Sequence, residues 1–214
     1  MGCIAPSFVV NPAAASAFGL LAESIIAKRY LNHVGRSNFF PASLKDFQDI
    51  SIAFGNSVLF ISFLKANNKL SVSQLLSLSA SGLVSVPDLM THDLPRRAEF
   101  YEIKPNSADG VPAGRAKIAG LSALFSFVGL PYNPGIIWKP DERIKLWSGY
   151  FTGAWIEAYL HYFRSPTTNG LIVYEICIEG EIQKALEHIA LAVLIATIIV
   201  IVLGLPVIPI PVPA

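Results

Sequence analysis

The apolar positions of the chain change period along its length. Across residues 12–34, Phe18, Leu21, Ile25 and Leu31 recur at helical spacing. Asn11-Pro12 supplies an N-cap with proline at the first helical position, and Gly35 marks the stop. A second helix is expected over 46–66, ended by Asn67-Asn68, and a short one near 71–79 carries Leu75, Leu76 and Leu78. After Gly82 the texture becomes strand-like. LVSVPDLM (83–90) and AEFYEIKP (98–105) read as two strands joined by the polar interval THDLPRR. The turn-forming stretch 106–112 then leads into a helix over 113–129, which accommodates Gly120. Residues 130–135 are a loop. Three further strands are expected over 143–151, 154–164 and 170–179, rich in aromatic and β-branched residues, with SPTTNG (165–170) as the last turn. The pattern predicts an α/β domain with a mixed central sheet and flanking helices over 1–180.

Residues 181–214 are different in kind. A helix is expected from Glu181, and IALAVLIATIIVIVLGL (189–205) carries no charge. Seventeen such residues span roughly 25 Å as a helix, near the thickness of a hydrocarbon core. The closing PVIPIPVPA favours polyproline II. Membrane contact is the favoured reading of this hydrophobic C-terminal helix. A buried helix, or one covered by a partner or carrier, would need apolar cover that so small a domain hardly offers.

Composition sharpens this picture. Hydrophobic residues make up 53% of the 214, charged residues 14%, and mean hydropathy is +0.52. Charged residues are ordinarily about a quarter of a soluble domain. Net charge is +1, which removes the global basic signature of a nucleic-acid-coating protein. Within 96–145, eight basic residues face five acidic ones, a weak local bias toward a polyanion. Cys3 and Cys177 lie far apart and form no CxxC pair, so a zinc site or disulfide framework is not expected and a reducing compartment suits the chain. The N-terminal stretch lacks the basic region and long apolar core of a secretory signal. Pro6 spoils the myristoylation pattern that Met1-Gly2 begins.

The residues that carry chemistry stand on the second strand. In EFYEIK, Glu102 and Lys104 leave from one face together with Phe100, while Tyr101 and Ile103 point the other way. A buried Glu–Lys pair is costly unless the charges have a use or a partner. Asp88, after Pro87 on the preceding strand, can be brought beside Glu102 by a hairpin. Two converging carboxylates suit a hard cation such as Mg²⁺ (or Mn²⁺), and a neighbouring ammonium can orient or help deprotonate water. The set is what metal-assisted phosphodiester hydrolysis requires.

Pro87-Asp88, followed after a strand-length interval by Glu102-Ile103-Lys104, resembles the PD-(D/E)XK nuclease superfamily. The longer string EFYEIKPNSADGVPAGRAKI is similar to versions in bacterial polymorphic-toxin and effector nucleases, where a YEIKP strand leads through a Gly-rich turn into a helix. The resemblance implies a restriction-endonuclease-like fold, Asp88 and Glu102 as metal ligands and Lys104 as the catalytic lysine. Glu23, in AESIIAKRY of the first helix, would be an outer carboxylate; the plain alternative is a salt bridge with Lys28 or Arg29. Many relatives carry a Gln in the helix after the lysine strand. Here Arg115 and Lys117 stand there, as phosphate binders if the site is near, or else as exposed helix charges or the mark of a modified site.

The resemblance further implies a toxin or effector delivered from a bacterium without a Sec signal, acting in a target cytoplasm on DNA more than RNA. A neutralising immunity protein would then be expected, with residues 189–205 contacting a membrane or delivery machine. The competing reading is a membrane-inserting toxin whose C-terminal segment is the active element. Glu175, Cys177 and Glu179 alternate on one strand face, which suggests an edge or surface. His92, His161 and His188 show no metal spacing, and Trp138, Trp147 and Trp155 read as core.

Overall fold

The computed structural model describes residues 2–6, 12–35, 39–40, 57–74, 78, 86–93, 97–151 and 154–180. The chain runs β1 (Gly2–Ile4), α1 (Pro12–Val34), β2 (Phe39–Phe40), α2 (Ser57–Asn67), β3 (Leu89–Asp93), β4 (Arg97–Pro105), α3 (Gly110–Val128), β5 (Asn133–Pro134), β6 (Asp141–Phe151), β7 (Ala154–Arg164) and β8 (Leu171–Gly180). The strands form one mixed sheet in the order β2-β3-β4-β8-β7-β6, with β1 on β8 and β5 on β4. The pairs β3–β4, β6–β7, β7–β8 and β1–β8 are antiparallel, while β8 and β5 both run parallel to β4. This is the expected α/β architecture, a mixed sheet flanked by helices.

Alternation along the strands sends two apolar sets to opposite faces. One set, including Tyr101, Ile103, Leu160, Tyr162, Ile172 and Ile176, packs on α1. The other, including Met90, Phe100, Leu171 and Val173, packs on α3 and α2 through Ile118, Leu121, Phe125, Phe60 and Leu64. The helix over 12–34 is as expected, but its buried stripe is turned by one residue. Phe18, Ala22, Ile26 and Tyr30 are the closed positions, and Leu21, Ile25 and Leu31 flank them.

The third helix begins at Gly110 rather than 113, because Ser107 Oγ accepts the Gly110 N–H at 2.9 Å and satisfies one free donor of its first turn. It ends at Gly129, whose φ of 71° is a left-handed cap that glycine takes without strain. Of the strand expected over 83–90, residues 83–85 lie outside the described residues, and the described part pairs only from Leu89, leaving Asp88 just outside the ladder. The helix expected over 46–66 is described from Ser57 onward.

Three expectations are corrected. Cys3 and Cys177 form a disulfide, since the antiparallel β1–β8 ladder sets them directly opposite; separation in sequence says nothing about a ladder partner. Glu175, Cys177 and Glu179 are not on an edge, since β8 has β7 on one side and β4 and β1 on the other, although Glu179 does reach the surface as the other expected alternative has it. Trp138 is buried, but Trp155 is 43% exposed near the β6–β7 turn and stacks edge-on with the exposed Tyr150. The apolar helix expected over 189–205, and the boundary after residue 180, lie outside the described residues. Among the described residues no helix is long and apolar enough to cross a membrane.

Candidate active site

The site forms where β3 stops pairing with β4. Their ladder runs from Asp93↔Arg97 to Leu89↔Tyr101, so no β3 residue pairs with Ile103. The Asp88 carboxylate takes that place: its Oδ2 accepts the Ile103 N–H at 2.7 Å. The bond fixes the side chain against the face that carries Glu102 and Lys104. Pro87, which has no N–H to continue a ladder, precedes it.

Helix α3 closes the site from above. A Cβ on Gly114 would stand 2.6 Å from Leu171 Cδ1 and 3.1 Å from Lys104 Cγ, so glycine permits this close approach. One turn on, Lys117 reaches into the carboxylates. Its Nζ lies 2.7 Å from Glu102 Oε2 and 3.3 Å from Asp88 Oδ1. Lys104 pairs with Glu102 Oε1, lies 3.6 Å from Asp88 Oδ2, and donates to the Ile103 carbonyl at 3.0 Å. Each ammonium therefore faces both carboxylates. The Glu102 side chain is 0% exposed and that of Asp88 8%. An ammonium lies against each oxygen of this fully buried carboxylate, Lys104 on Oε1 and Lys117 on Oε2.

Electrostatics follow from that crowding. Burial and the neighbouring Asp88 push the Glu102 carboxyl up to about 7, with Lys104 and Lys117 opposing. Burial also disfavours ionised Asp88, but the two ammoniums and the Ile103 N–H outweigh it and hold this carboxyl below its ordinary value. Burial, then repulsion by Asp88 and Glu102, pushes Glu23 up to about 8. Burial works against charged Lys104, yet Asp88 and Glu102 raise it above the ordinary lysine range.

The expected residues separate accordingly. Asp88, Glu102 and Lys104 are brought together. Glu23 reaches them electrostatically from α1; of its two expected salt-bridge partners, Arg29 pairs with Glu142 at 3.8 Å, and Lys28 forms no ion pair with it among the described residues. Lys117 faces the carboxylates. Arg115 turns away and donates to Thr167 and Thr168 at 2.7 and 3.0 Å, because positions two apart on a helix lie on nearly opposite sides.

Asp88 and Glu102 are the carboxylates that could hold a hard cation, and Lys104 and Lys117 are paired to them here. Glu23 does not make a third ligand at close range. Among the described residues, the cluster whose ligand atoms do converge is Cys3, His161, Glu175 and Cys177, all within 4.8 Å of one another. Sequence reading missed it. The alternation of Glu175 and Cys177 was a signal for two of the members, whereas Cys3 and His161 join them only through sheet pairing. The remaining expected bystander, His92, is buried and bonds Tyr132 Oη through Nδ1 at 2.8 Å. A scan against protein-family models, a search of curated proteins and a search of solved structures each find no match to this chain.

Proposed function

We propose that this chain is a Mg²⁺-dependent (or Mn²⁺-dependent) nuclease that hydrolyses phosphodiester bonds at the Asp88–Glu102–Lys104 cluster, with DNA the preferred polymer. The observation that carries the reading is the buried Asp88–Glu102 pair, converging beneath α3 and facing two ammoniums. Such a pair is costly to fold around and is explained by a use for its charge. The order of α1 with Glu23, the Asp88 strand, the Glu102–Lys104 strand and the following helix agrees with the PD-(D/E)XK resemblance and supports a restriction-endonuclease-like core.

Asp88 and Glu102 would hold the cation, which when bound stabilises the charge developing on the phosphodiester. Lys104, held as an ammonium by its carboxylate neighbours, serves as a charged donor that orients the attacking water. Glu23, pushed up to about 8 by burial and the neighbouring Asp88, would be the outer carboxylate, a proton acceptor only as pH rises toward that value. Lys117 meets the phosphate as it enters beneath α3. Arg115, on the 165–170 turn, meets a neighbouring phosphate of a substrate that crosses this turn.

The role as a bacterial toxin or effector, with an immunity protein as partner, belongs to the same proposal and rests on the EFYEIKPNSADGVPAGRAKI string. Contact of 189–205 with a membrane or delivery machine rests on hydropathy. Deleting 189–214 should abolish delivery and spare cleavage in solution.

The test is plasmid and RNA cleavage by the purified chain with Mg²⁺, with EDTA, and as Glu102→Ala and Lys104→Ala variants. Cutting that needs Mg²⁺ and is lost in both variants supports the reading. Absence of cutting on both polymers sinks it and favours a membrane-inserting toxin acting through the C-terminal segment, which liposome dye leakage from Glu102→Ala would reveal.

A further inference from the structure

Beyond the edge of α3, the same face of the sheet carries a second group of ligating atoms that the nuclease reading does not use. Cys3 and Cys177 are opposite one another on β1 and β8, and their sulfurs are joined. His161 stands on β7 opposite Glu175 of β8. Its Nδ1 lies 2.9 Å from Glu175 Oε1, which is 4.0 Å from the Cys177 sulfur. The two sulfurs, the imidazole and the carboxylate converge within 4.8 Å. They are not loose surface groups: Cys177 is fully buried, and the side chains of His161 and Glu175 are 17% and 15% exposed.

Two further contacts have the form of an outer shell. His161 Nε2 lies 2.9 Å from Asp141 Oδ1, the carboxylate–histidine arrangement that fixes a metal-binding imidazole's tautomer and orientation. Asn106 donates to the other oxygen of Glu175, Oε2, at 2.9 Å, which leaves Oε1 turned toward His161 and the sulfurs. Two thiolates, one imidazole and one carboxylate make a tetrahedral set of the softness that Zn²⁺ takes.

We propose that the Cys3–Cys177 disulfide and a Zn²⁺ site are two states of one cluster, interconverted by thiol redox chemistry. A dithiol reductant delivers two electrons and two protons to the S–S bond, giving two thiols and leaving the reductant as its own disulfide. Zn²⁺ then binds Cys3 Sγ, Cys177 Sγ, His161 Nδ1 and Glu175 Oε1. The two thiol protons leave to solvent, as does the proton between His161 and Glu175. Oxidation reverses the sequence: the thiolates lose two electrons to an acceptor disulfide, the S–S bond re-forms and the metal is released. In both states β1 stays fastened to β8, by a covalent bond in one and by shared ligation in the other.

The test uses the full chain with Co²⁺ as a spectroscopic probe, anaerobically, before and after reduction by a dithiol. The expected result is one Co²⁺ per reduced chain, with thiolate-to-cobalt charge-transfer and tetrahedral d–d absorption, displaced by one equivalent of Zn²⁺. The oxidised chain should show neither band. His161→Ala and Glu175→Gln should each abolish stoichiometric binding while circular dichroism is unchanged, and Asp141→Asn should weaken it about tenfold. Glu102→Ala should leave the bands intact, which separates this cluster from the candidate active site. A reduced wild-type chain without charge-transfer absorption overturns the proposal, as does undiminished binding in His161→Ala. Cys177→Ser is a further check where it folds, and the histidine and glutamate variants decide the matter where it does not.

Discussion

One face of one sheet treats charge in two ways. Under α3, Glu102 and Lys104 are held in a closed space with Asp88 and Lys117, and four ammonium–carboxylate approaches are packed together. Beyond α3, on β6, β7 and β8, Lys145 pairs with Glu157 at 2.5 Å and Arg143 with Glu179 at 2.7 Å on the solvent side. The residue types are the same and the distances similar. Only the covered half carries a carboxylate with no exposure and an affinity for protons that reaches neutrality. Water screens the open pairs and solvates whatever they leave unpaired, while the lid of α3 removes that option. Cover, rather than the presence of Glu and Lys, is what makes one half a candidate catalytic site.

The sharpest way to break this comparison is to remove charge from the covered half. Glu102→Gln keeps the shape, and loss of a cation ligand should lower Mg²⁺-dependent cleavage on the order of 10³-fold. The same change should raise the urea midpoint at pH 8 by an amount corresponding to about 1–3 kcal/mol, because it removes a buried charge that folding disfavours. A variant that loses activity without gaining stability would place the cost elsewhere.

Removing a cation should do the opposite. Lys117→Met leaves Asp88 and Glu102 with one ammonium between them, and about 3 kcal/mol of stability should be lost in urea unfolding without metal. Saturating Mg²⁺ should restore part of this loss by mass action if the carboxylates hold the ion.

Stability against pH should read the same crowding. Glu23 and Glu102 have folded-state values of about 8 and about 7 against an ordinary 4.5. Between about 4.5 and 8 the folded state retains protons that the unfolded chain has released. Metal-free stability should therefore be highest just below this window and fall as pH rises, by up to ~1.4 kcal/mol per pH unit for each group. Asp88 has the opposite sign, and its contribution is lost as pH falls below the ordinary aspartate range. Unfolding midpoints taken at successive pH values, with EDTA and with Mg²⁺, test both signs, and Mg²⁺ should flatten the descending limb. The smallest effect belongs to the open half: Lys145→Ala should leave both the urea midpoint and cleavage unchanged within error.

Much of the framework was legible in the sequence because its signals are local. Asn11-Pro12 and Gly35 bracket α1, and the strands after residue 97 show their alternation or apolar runs directly. The shared face of Glu102 and Lys104 follows from strand period alone. The position of Lys117 was half legible: helix geometry says that it and Arg115 cannot face the same site, but not which of them does. That depended on how closely α3 lies on β8, which Gly114 permits. The stripe of α1 was misplaced by one residue because Leu21, Ile25 and Leu31, as apolar as the closed Ile26 and Tyr30, only flank the buried face.

What the sequence by itself determined is helices α1 and α3, strands β4, β6, β7 and β8, their order, and the strand that carries the Glu–Lys pair, since each is written in local spacings, whereas the short β1, β2 and β5 carry no such signal. The tertiary structure decided which strands are interior, which half of a face is covered, and which distant residues become neighbours. Cys3 meets Cys177, and His161 meets Glu175 and Asp141, through ladders whose partners are chosen by the packing of the whole sheet. Burial and proximity belong to that packing, and they turn ordinary carboxylates, lysines and cysteines into sites.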